Sequence, residues 1–259
     1  MPELLRSREA EGTCAEANSK QQTANSKQQT ANSKQQTANS KQQTANSKQQ
    51  TANSKQQMKI FCIGRNYSDH AKELGNAVPE NPVVFSKPDT ALVKNGEPFY
   101  LPDFSNDVHH EVELVIKISK MGKKIQEKFA RNYFNEIGLG IDFTARDMQQ
   151  QLKEKGLPWE LAKAFDGSAP IGEFMDVSNV DLGNINFSLQ KNGTVVQTGN
   201  TAQMIFSFEQ IVSFISQYFT LKVGDLIYTG TPAGVGKVSV GDKLEGFIEE
   251  TKMLTCEVR

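Results

Sequence analysis

Residues 109–118 read His-His-Glu-Val-Glu-Leu-Val-Ile-Lys-Ile, with an apolar residue at every even position from 112 to 118. Because successive side chains of a strand point to opposite faces, this alternation predicts a strand whose apolar face packs on a core. Glu111 and Glu113 then project from the other face, roughly 6.6 Å apart at Cα. A solvated strand edge has the same pattern, so the pair alone leaves a functional site and an exposed edge as alternatives.

A third carboxylate follows a second apolar stretch. Residues 138–141, Gly-Leu-Gly-Ile, are typical of a short strand, which ends at Asp142. Adjacent carboxylates repel and raise each other's pKa unless a cation or a basic group lies between them. A set of oxygen ligands suits a hard divalent ion, Mg²⁺ or Mn²⁺, better than zinc.

The three histidines of the chain all lie in candidate motifs. His109 and His110 precede the two glutamates, and His70 lies three residues before Glu73. On a helix, His70 and Glu73 would share one face and could touch. A carboxylate beside an imidazole fixes its tautomer and raises its pKa, which makes this pair a candidate general base. An ordinary surface pair is the alternative.

Bulk composition argues against several classes of partner. The 259 residues are 37% hydrophobic with a net charge of -1, which gives no electrostatic case for nucleic acid or an anionic membrane. The sequence has no run of eighteen apolar residues to span a bilayer and no apolar segment of a secretory signal near residue 1. Three cysteines without metal-type spacing fit a reducing compartment. We therefore expect a cytoplasmic protein.

The first 57 residues differ from the remainder. From Ala17 they repeat Ala-Asn-Ser-Lys-Gln-Gln-Thr, with one alanine per heptad where a coiled coil needs two apolar positions. Such a segment has little to bury, so we predict a low-complexity tail that is disordered or at most a frayed helix. The repeat can be encoded by a seven-base DNA repeat, and our hypothesis is a translated simple repeat upstream of a start at Met58. A functional tether is the rival interpretation.

Residues 58–259 are predicted to form one catalytic domain, α+β in class and mainly β, because short strands outnumber helices. We expect one helix from Ser68 to residue 74, and another at 148–155 after a capping-box-like start at 144–147. Asn192-Gly193 predicts a hairpin, and Ser207 with Gln210 opens a further helix. The glycine-rich stretch 230–237 lacks the Walker pattern, so we interpret it as a turn that closes an active-site strand.

At this point the sequence resembles the fumarylacetoacetate hydrolase family, and within it the branch of acylpyruvases and oxaloacetate decarboxylases. The matching segments extend across residues 58–259, whereas the tail has no counterpart. They are 64–67 (Gly-Arg-Asn-Tyr) with His70 and Glu73, 109–114 (His-His-Glu-Val-Glu-Leu), 142–147 (Asp-Phe-Thr-Ala-Arg-Asp), 155–159 (Lys-Gly-Leu-Pro-Trp), 161–163 (Leu-Ala-Lys) and 229–232 (Thr-Gly-Thr-Pro).

The resemblance implies a mixed β-sandwich roll with short peripheral helices, usually a homodimer. It also implies Mg²⁺, or Mn²⁺, held by Glu111, Glu113 and Asp142. His70 and Glu73 match a water-activating pair, and Lys163 matches a lysine that contacts substrate. The positions predicted to bind substrate are Arg65, Arg146, Gln149 and Thr231. From its sequence alone, Lys163 could also be a surface lysine or a Schiff-base nucleophile. Trp159 is expected to pack in a turn rather than touch substrate.

The implied substrate is a small 2-keto acid or diketo acid. A metal-dependent hydrolase or lyase would cleave the C–C bond beyond the keto group of an acylpyruvate, or decarboxylate oxaloacetate, through a stabilised enolate. The alternatives within the family are a fumarylpyruvate hydrolase, or an isomerase, tautomerase or decarboxylase of dicarboxylic keto-enol intermediates of aromatic catabolism, such as 2-hydroxyhepta-2,4-diene-1,7-dioate. A non-catalytic metal-dependent binding protein is the alternative from another class.

Overall fold

The alternating stretch of residues 109–118 forms two strands rather than one, because the chain changes sheets at Glu111. Strand β4 (Val108–His110) belongs to a small sheet, whereas β5 (Val112–Ile118) lies in the large sheet. The even-numbered side chains of β5 are buried, as the alternation predicts. The carbonyl oxygen of Glu111 accepts a hydrogen bond from the Asp142 N–H at 2.8 Å, which joins this break to the end of the neighbouring strand.

The structure is a computed structural model and describes residues 58–68 and 78–259. Met58–Arg259 form one compact unit. The predictions for the tail of residues 1–57 and for the helix after Ser68, with His70 and Glu73, lie outside the described residues. In the described part, none of the helices has the length and apolar character needed to cross a membrane.

Strands predominate in the described residues, and the helices are short. The remaining strands are β1 (Ile60–Gly64), β2 (Val83–Lys87), β3 (Leu92–Lys94), β6 (Phe134–Ile141), β7 (Thr144–Ala145), β8 (Ala169–Asp176), β9 (Asn186–Lys191), β10 (Thr194–Asn200), β11 (Leu226–Tyr228), β12 (Gly236–Lys237), β13 (Lys243–Ile248) and β14 (Thr251–Glu257). The α-helices are α1 (Glu127–Ala130), α2 (Arg146–Glu154), α3 (Glu160–Lys163) and α4 (Phe208–Tyr218). Single 3-10 turns lie at Asp89–Ala91, Arg131–Tyr133, Val177–Asn179 and Thr201–Gln203.

The large sheet is mixed, with the strand order β2-β1-β11-β5-β6-β8-β3 among the described residues. β1 runs parallel to β11 and β3 parallel to β8, whereas the other neighbours are antiparallel. The central position of β5 and β6 explains why both are almost wholly apolar, since strands covered on both faces bury nearly every side chain. The acids at their shared end therefore lie inside the protein.

A second sheet, β10-β9-β13-β14, packs against the large sheet. Gly172 on β8 lies so close to the backbone of Met253 on β14 that a Cβ there would overlap it. Leu139, Leu189 and Leu254 belong to the core that the two sheets share. This architecture, mainly β with short peripheral helices in a mixed sandwich roll, confirms the predicted α+β fold class.

Two local predictions are confirmed. Asn192 and Gly193 have φ angles of 53° and 80°, as a type I′ hairpin between β9 and β10 requires. At the start of α4, Ser207 accepts a hydrogen bond from the Gln210 N–H, and the Gln210 side chain accepts one from the Ser207 N–H. Both signals depend on neighbouring residues only, so tertiary packing does not override them.

The predicted capping box at 144–147 is wrong, although the helix that follows it forms as α2. Ala145 is the N-cap residue, and its side chain makes no capping bond. The Thr144 hydroxyl instead lies 2.6 Å from the Lys163 Nζ, which donates to it, and itself donates to the Asp142 carbonyl oxygen at 3.2 Å. A buried ammonium needs acceptors more than a helix end near the surface needs a cap.

Candidate metal centre and active site

Glu111, Glu113 and Asp142 come together at the end of β5 and β6, with only 4%, 2% and 1% of each residue exposed. One carboxylate oxygen of each lies within 4.8 Å of the others. The exposed-edge alternative is therefore wrong. Burial, together with the charges of Asp142 and Glu111, raises the pKa of Glu113 well above its usual value. Buried carboxylates this close need cations, and their oxygens suit a hard divalent ion.

Strand pairing places these acids. Glu113 stands opposite Gly140 in the β5–β6 register, and Asp142 directly follows β6. Gly140 is needed because a Cβ at this position would overlap the ring of Tyr228. The Gly230 N–H donates to Glu113 Oε2 at 2.8 Å, so the glycine-rich turn after β11 does close the site, as interpreted from the sequence.

Three basic side chains surround the acids. The Lys163 Nζ donates to Glu111 Oε2 at 2.9 Å and to Asp142 Oδ2 at 2.7 Å. The Lys87 Nζ lies 2.8 Å from Asp142 Oδ1, and Arg146 pairs with Glu111 Oε1. Each base neutralises charge that would otherwise be buried alone, so three acids and three bases form one cluster.

Lys163 is a buried cation, not the surface lysine that the sequence left open, and only 4% of the residue is exposed. Burial alone would lower its pKa, but Asp142 and Glu111 more than offset this effect and raise the pKa to about 12. With the Thr144 hydroxyl, its three N–H donors all have acceptors. A protonated amine is not a nucleophile, so this state disfavours the Schiff-base alternative.

Lys87 is a site residue that the sequence analysis missed. It ends β2, its side chain is fully buried, and its Nζ also donates to the Ser168 carbonyl oxygen at 3.1 Å and hydroxyl at 2.9 Å. A lysine at the end of a short strand is usually a solvated residue, so its position gave no local signal. Its partners are 55 and 81 residues away in the sequence, and only the fold brings them to it.

A cavity of about 100 Å³ opens beside the acids. The three acids and Lys163 line it. The four residues predicted to bind substrate also line it: Arg65, Arg146, Gln149 and Thr231. The structure thus brings together every predicted site residue that it describes. His109 and His110 do not line the cavity; His109 lies 3.0 Å from Asp107 through its Nε2.

The walls of the cavity are partly aromatic and partly cationic. The rings of Trp159 and Phe85 meet edge to face, with their centroids 6.1 Å apart. Both residues line the cavity, so Trp159 does more than pack in a turn. Arg65 adopts a φ of 62°, a conformation that costs energy in any residue other than glycine. Arg65 is one of the residues that line the cavity, so this strained backbone lies where the sequence predicts a contact to substrate.

Thr231 and Gln197 connect the cavity to the second sheet. The Thr231 hydroxyl donates to the Val112 carbonyl oxygen at 2.8 Å and accepts from Gln197 Nε2 at 2.9 Å. Gln197 Oε1 accepts from the Val112 N–H at 3.1 Å and lies 2.9 Å from His110 Nδ1, which must carry the proton because an amide oxygen only accepts. Burial lowers the pKa of His110, so the neutral ring completes this network.

Asn66 holds the loop that carries Arg65. Its Nδ2 donates to the carbonyl oxygens of Thr229 at 2.8 Å and Phe206 at 3.1 Å, and its Oδ1 accepts from the Phe206 N–H at 2.7 Å. Asn66 is fully buried, and a Cβ at Gly230 would overlap its side chain. This one amide therefore fixes the distance between the loop after β1 and the turn that holds Glu113.

We expect Asn66→Ala to lower the free energy of unfolding by about 3 kcal/mol, because one buried and two partly buried backbone groups lose their partners. Chemical denaturation of the full chain would measure the change. Asn135→Ala is the matched control, since Asn135 is exposed on β6. A loss no larger than that of the control would show that Asn66 is not a structural anchor.

Proteins of known sequence and of known structure are similar to this chain over most of its length. Residues 59–259 match the family model described as fumarylacetoacetate (FAA) hydrolase C-terminal. The chain belongs to the fumarylacetoacetate hydrolase family. It is 42% identical over 201 residues to the mitochondrial oxaloacetate tautomerase FAHD1 of Mus musculus, a match that covers 77% of this chain and 91% of the relative.

Solved structures of the fumarylacetoacetate hydrolase family include proteins with different reactions. Fumarylpyruvate hydrolase from Pseudomonas aeruginosa, in complex with Mn²⁺ and pyruvate, is 38% identical with a TM-score of 0.73, and the match covers 77% of this chain and 88% of that one. 2-Hydroxyhepta-2,4-diene-1,7-dioate isomerase from Mycobacterium marinum is 37% identical with a TM-score of 0.68, and the match covers 78% of this chain and 74% of that one. Family membership, inferred from the motifs, is confirmed, whereas the reaction varies among similar proteins.

Proposed function

We propose that this member of the fumarylacetoacetate hydrolase family is a Mg²⁺- or Mn²⁺-dependent enzyme that forms the enolate of a small 2-keto acid. Oxaloacetate is the best-supported substrate and keto–enol tautomerisation the best-supported reaction. The observation that carries the proposal is the cluster of three buried acids and Lys163 at the base of a small cavity. The similarity to an oxaloacetate tautomerase supports the choice of substrate.

Tautomerisation moves one proton. A base removes a proton from C3 of oxaloacetate, the C3–H electrons form the C2–C3 double bond, and the keto oxygen becomes negative until it is protonated. His70 with Glu73, predicted from the sequence as a proton-transferring pair, would serve as this base. A divalent ion on Glu111, Glu113 and Asp142 would supply positive charge next to the developing enolate.

The described residues of the chain have separate tasks in this proposal. Lys163 adds a fixed positive charge near the enolate, where electrostatic stabilisation has the largest effect on rate. Arg146 donates to Gln149 Oε1 at 2.6 Å, which orients the Gln149 amide toward the cavity they share. Phe85 and Trp159 cover one side and limit access of water, which strengthens these interactions.

Cleavage of an acylpyruvate, or decarboxylation of oxaloacetate, is the second candidate function. Both reactions break the C3–C4 bond and leave its electron pair on a pyruvate enolate, so they need the same charges. The C4 carbon leaves an acylpyruvate as a carboxylic acid after water has added to its carbonyl, and leaves oxaloacetate as carbon dioxide. Similarity to a fumarylpyruvate hydrolase that was solved with Mn²⁺ and pyruvate favours this candidate. The homodimer and the cytoplasmic location remain predictions, and the mouse relative is named mitochondrial.

A substrate panel tests the proposal. We expect the full chain with Mg²⁺ or Mn²⁺ to accelerate loss of the oxaloacetate enol more than release of carbon dioxide, and more than turnover of acetylpyruvate, fumarylpyruvate or a hydroxymuconate-type diacid. Because general-base catalysis alone contributes about 10²–10⁴-fold, the acceleration should be large. It should disappear on chelation, because the developing enolate would lose the charge of the divalent ion. Faster cleavage of an acylpyruvate would favour the second candidate, and activity that persists in excess chelator would contradict both.

A further inference from the structure

Helix α2 presents a polar stripe to the cavity. Arg146, Gln149, Gln150 and Lys153 are spaced at i, i+3, i+4 and i+7, which places them on one face of the helix, and all four line the cavity. The stripe leads from the metal centre to solvent. Arg146 contacts Glu111 and is partly buried, whereas Gln150 and Lys153 are exposed. Lys153 therefore stands at the mouth, with a cationic end group on a long flexible stem.

The charges around the cavity favour more than one anionic group. Its described lining contains four basic side chains (Arg65, Arg146, Lys153 and Lys163) and three acidic ones (Glu111, Glu113 and Asp142). Lys87 contacts Asp142 from behind and adds another positive charge. Even before a divalent ion is counted, these basic residues outnumber the acidic ones, so a dianion is expected to be attracted more strongly than a monoanion.

Helical geometry gives the stripe a useful length. Gln149 and Lys153 are four residues apart, about 6 Å along the axis. The two carboxyl carbons of an extended four-carbon diacid are separated by roughly 4 Å, from three C–C bonds of about 1.5 Å. A diacid whose keto end lies near Gln149 and the acids would direct its other carboxylate toward the next turn, within reach of the Lys153 ammonium.

We propose that Lys153 binds the second carboxylate of the substrate and so makes this site selective for dicarboxylic 2-keto acids over monocarboxylic ones. The proposal rests on the proposed function, and it assigns a specificity role to a residue outside the sequence motifs. Lys153 acts on binding rather than on the enolate, so its loss changes affinity for diacids and leaves the chemical step intact.

The test uses two unreactive probes that differ only in the second carboxylate. Malate and lactate have the same 2-hydroxy acid end, and neither can form the enolate. We expect calorimetry on the full chain with Mn²⁺ to show that wild type binds malate more tightly than lactate. Lys153→Gln should weaken malate binding by about five- to tenfold, because an ion pair near solvent contributes modestly, and should not change lactate binding.

Two further variants make the result specific. Lys153→Arg keeps the charge and should restore most of the preference for malate. Lys155→Gln removes an exposed lysine just after the same helix, outside the cavity lining, and should change neither affinity. Kinetically, Lys153→Gln should raise KM for oxaloacetate with little change in kcat, and should leave KM for acetylpyruvate unchanged if that substrate is turned over.

The outcomes separate this proposal from the proposed function. Equal affinity of the wild type for malate and lactate would overturn the Lys153 proposal. Equal weakening of both affinities by Lys153→Gln would also overturn it, and neither result depends on which reaction the enzyme catalyses. A preference for malate that requires Lys153 would support it even if the substrate panel showed no tautomerase activity. Absence of turnover on the whole panel, with the malate preference intact, would refute the proposed reaction alone.

Discussion

Glu113→Ala is expected to abolish binding of the divalent ion and to lower turnover of oxaloacetate by roughly a thousandfold or more. Glu113 supplies one of three oxygen donors, and the other two are already shared with Lys163, Lys87 and Arg146. Two partly neutralised carboxylates bind a divalent ion weakly. Because the ion would carry much of the charge stabilisation, its loss removes the main contribution to lowering the barrier.

Calorimetric titration with Mn²⁺ and turnover measured over a range of metal concentrations would test this. Glu136→Ala is the matched control, because Glu136 lies on the adjacent β6 and makes only a partly exposed pair with Lys117 at 2.8 Å. Surface pairs of this kind contribute about 0–1 kcal/mol, so the control should bind metal and turn over normally. Full turnover of Glu113→Ala in excess chelator would overturn the assignment of the three acids as metal ligands.

Lys163→Met should have a comparable effect on turnover through a different cause. We expect kcat to fall by about a hundred- to a thousandfold, because a fixed positive charge beside the enolate is lost. Binding of the divalent ion should be retained or become tighter. The Lys163 ammonium binds the carboxylates of Glu111 and Asp142, a metal ion would have to share these two groups with it, and the substitution removes this competitor. The two variants thus separate loss of metal from loss of charge.

Stability gives a second measure of the Lys163 substitution. Removal of one partner from a buried ion pair typically costs about 3–5 kcal/mol, because the other charges are left uncompensated. We therefore expect Lys163→Met to unfold more readily without added metal and to recover much of this loss in Mn²⁺. Lys252→Met is the control, since Lys252 makes an exposed pair with Glu245. Loss of metal binding together with turnover would contradict the competition argument and make Lys163 a structural support for the acids.

Much of the local structure was recognisable in the sequence because its signals are short. The alternation at residues 109–118 predicted the buried face of β5, and the Asn192-Gly193 and Ser207–Gln210 signals predicted their hairpin and helix. In each case the interactions that fix the backbone lie within a few residues. The order of the motifs along the chain indicated the family and, through it, the three acids as metal ligands. His70 and Glu73 rest on this sequence evidence alone, since they lie outside the described residues.

Other features depended on contacts between distant segments. Nothing near Lys87 or Gln197 in the sequence indicates that one reaches Asp142 and the other joins His110 to Thr231. At Thr144 a local signal was present in the sequence, but a long-range contact overrides it. Its local pattern predicted a helix cap, but the buried Lys163 ammonium occupies its hydroxyl. Long-range electrostatics in a low-dielectric interior outweighs a local preference of about 1 kcal/mol.

The amino-acid sequence by itself determined the family, the mainly β class, the identity of the three acids and part of the cavity lining, namely Lys163, Arg65, Arg146, Gln149 and Thr231. Only the tertiary structure decided that these acids are buried, that three basic side chains neutralise them, and that Lys153 stands at the mouth of their cavity. The physical reason is that strand and turn patterns act between near neighbours, whereas burial and charge depend on which distant segments the two sheets bring together.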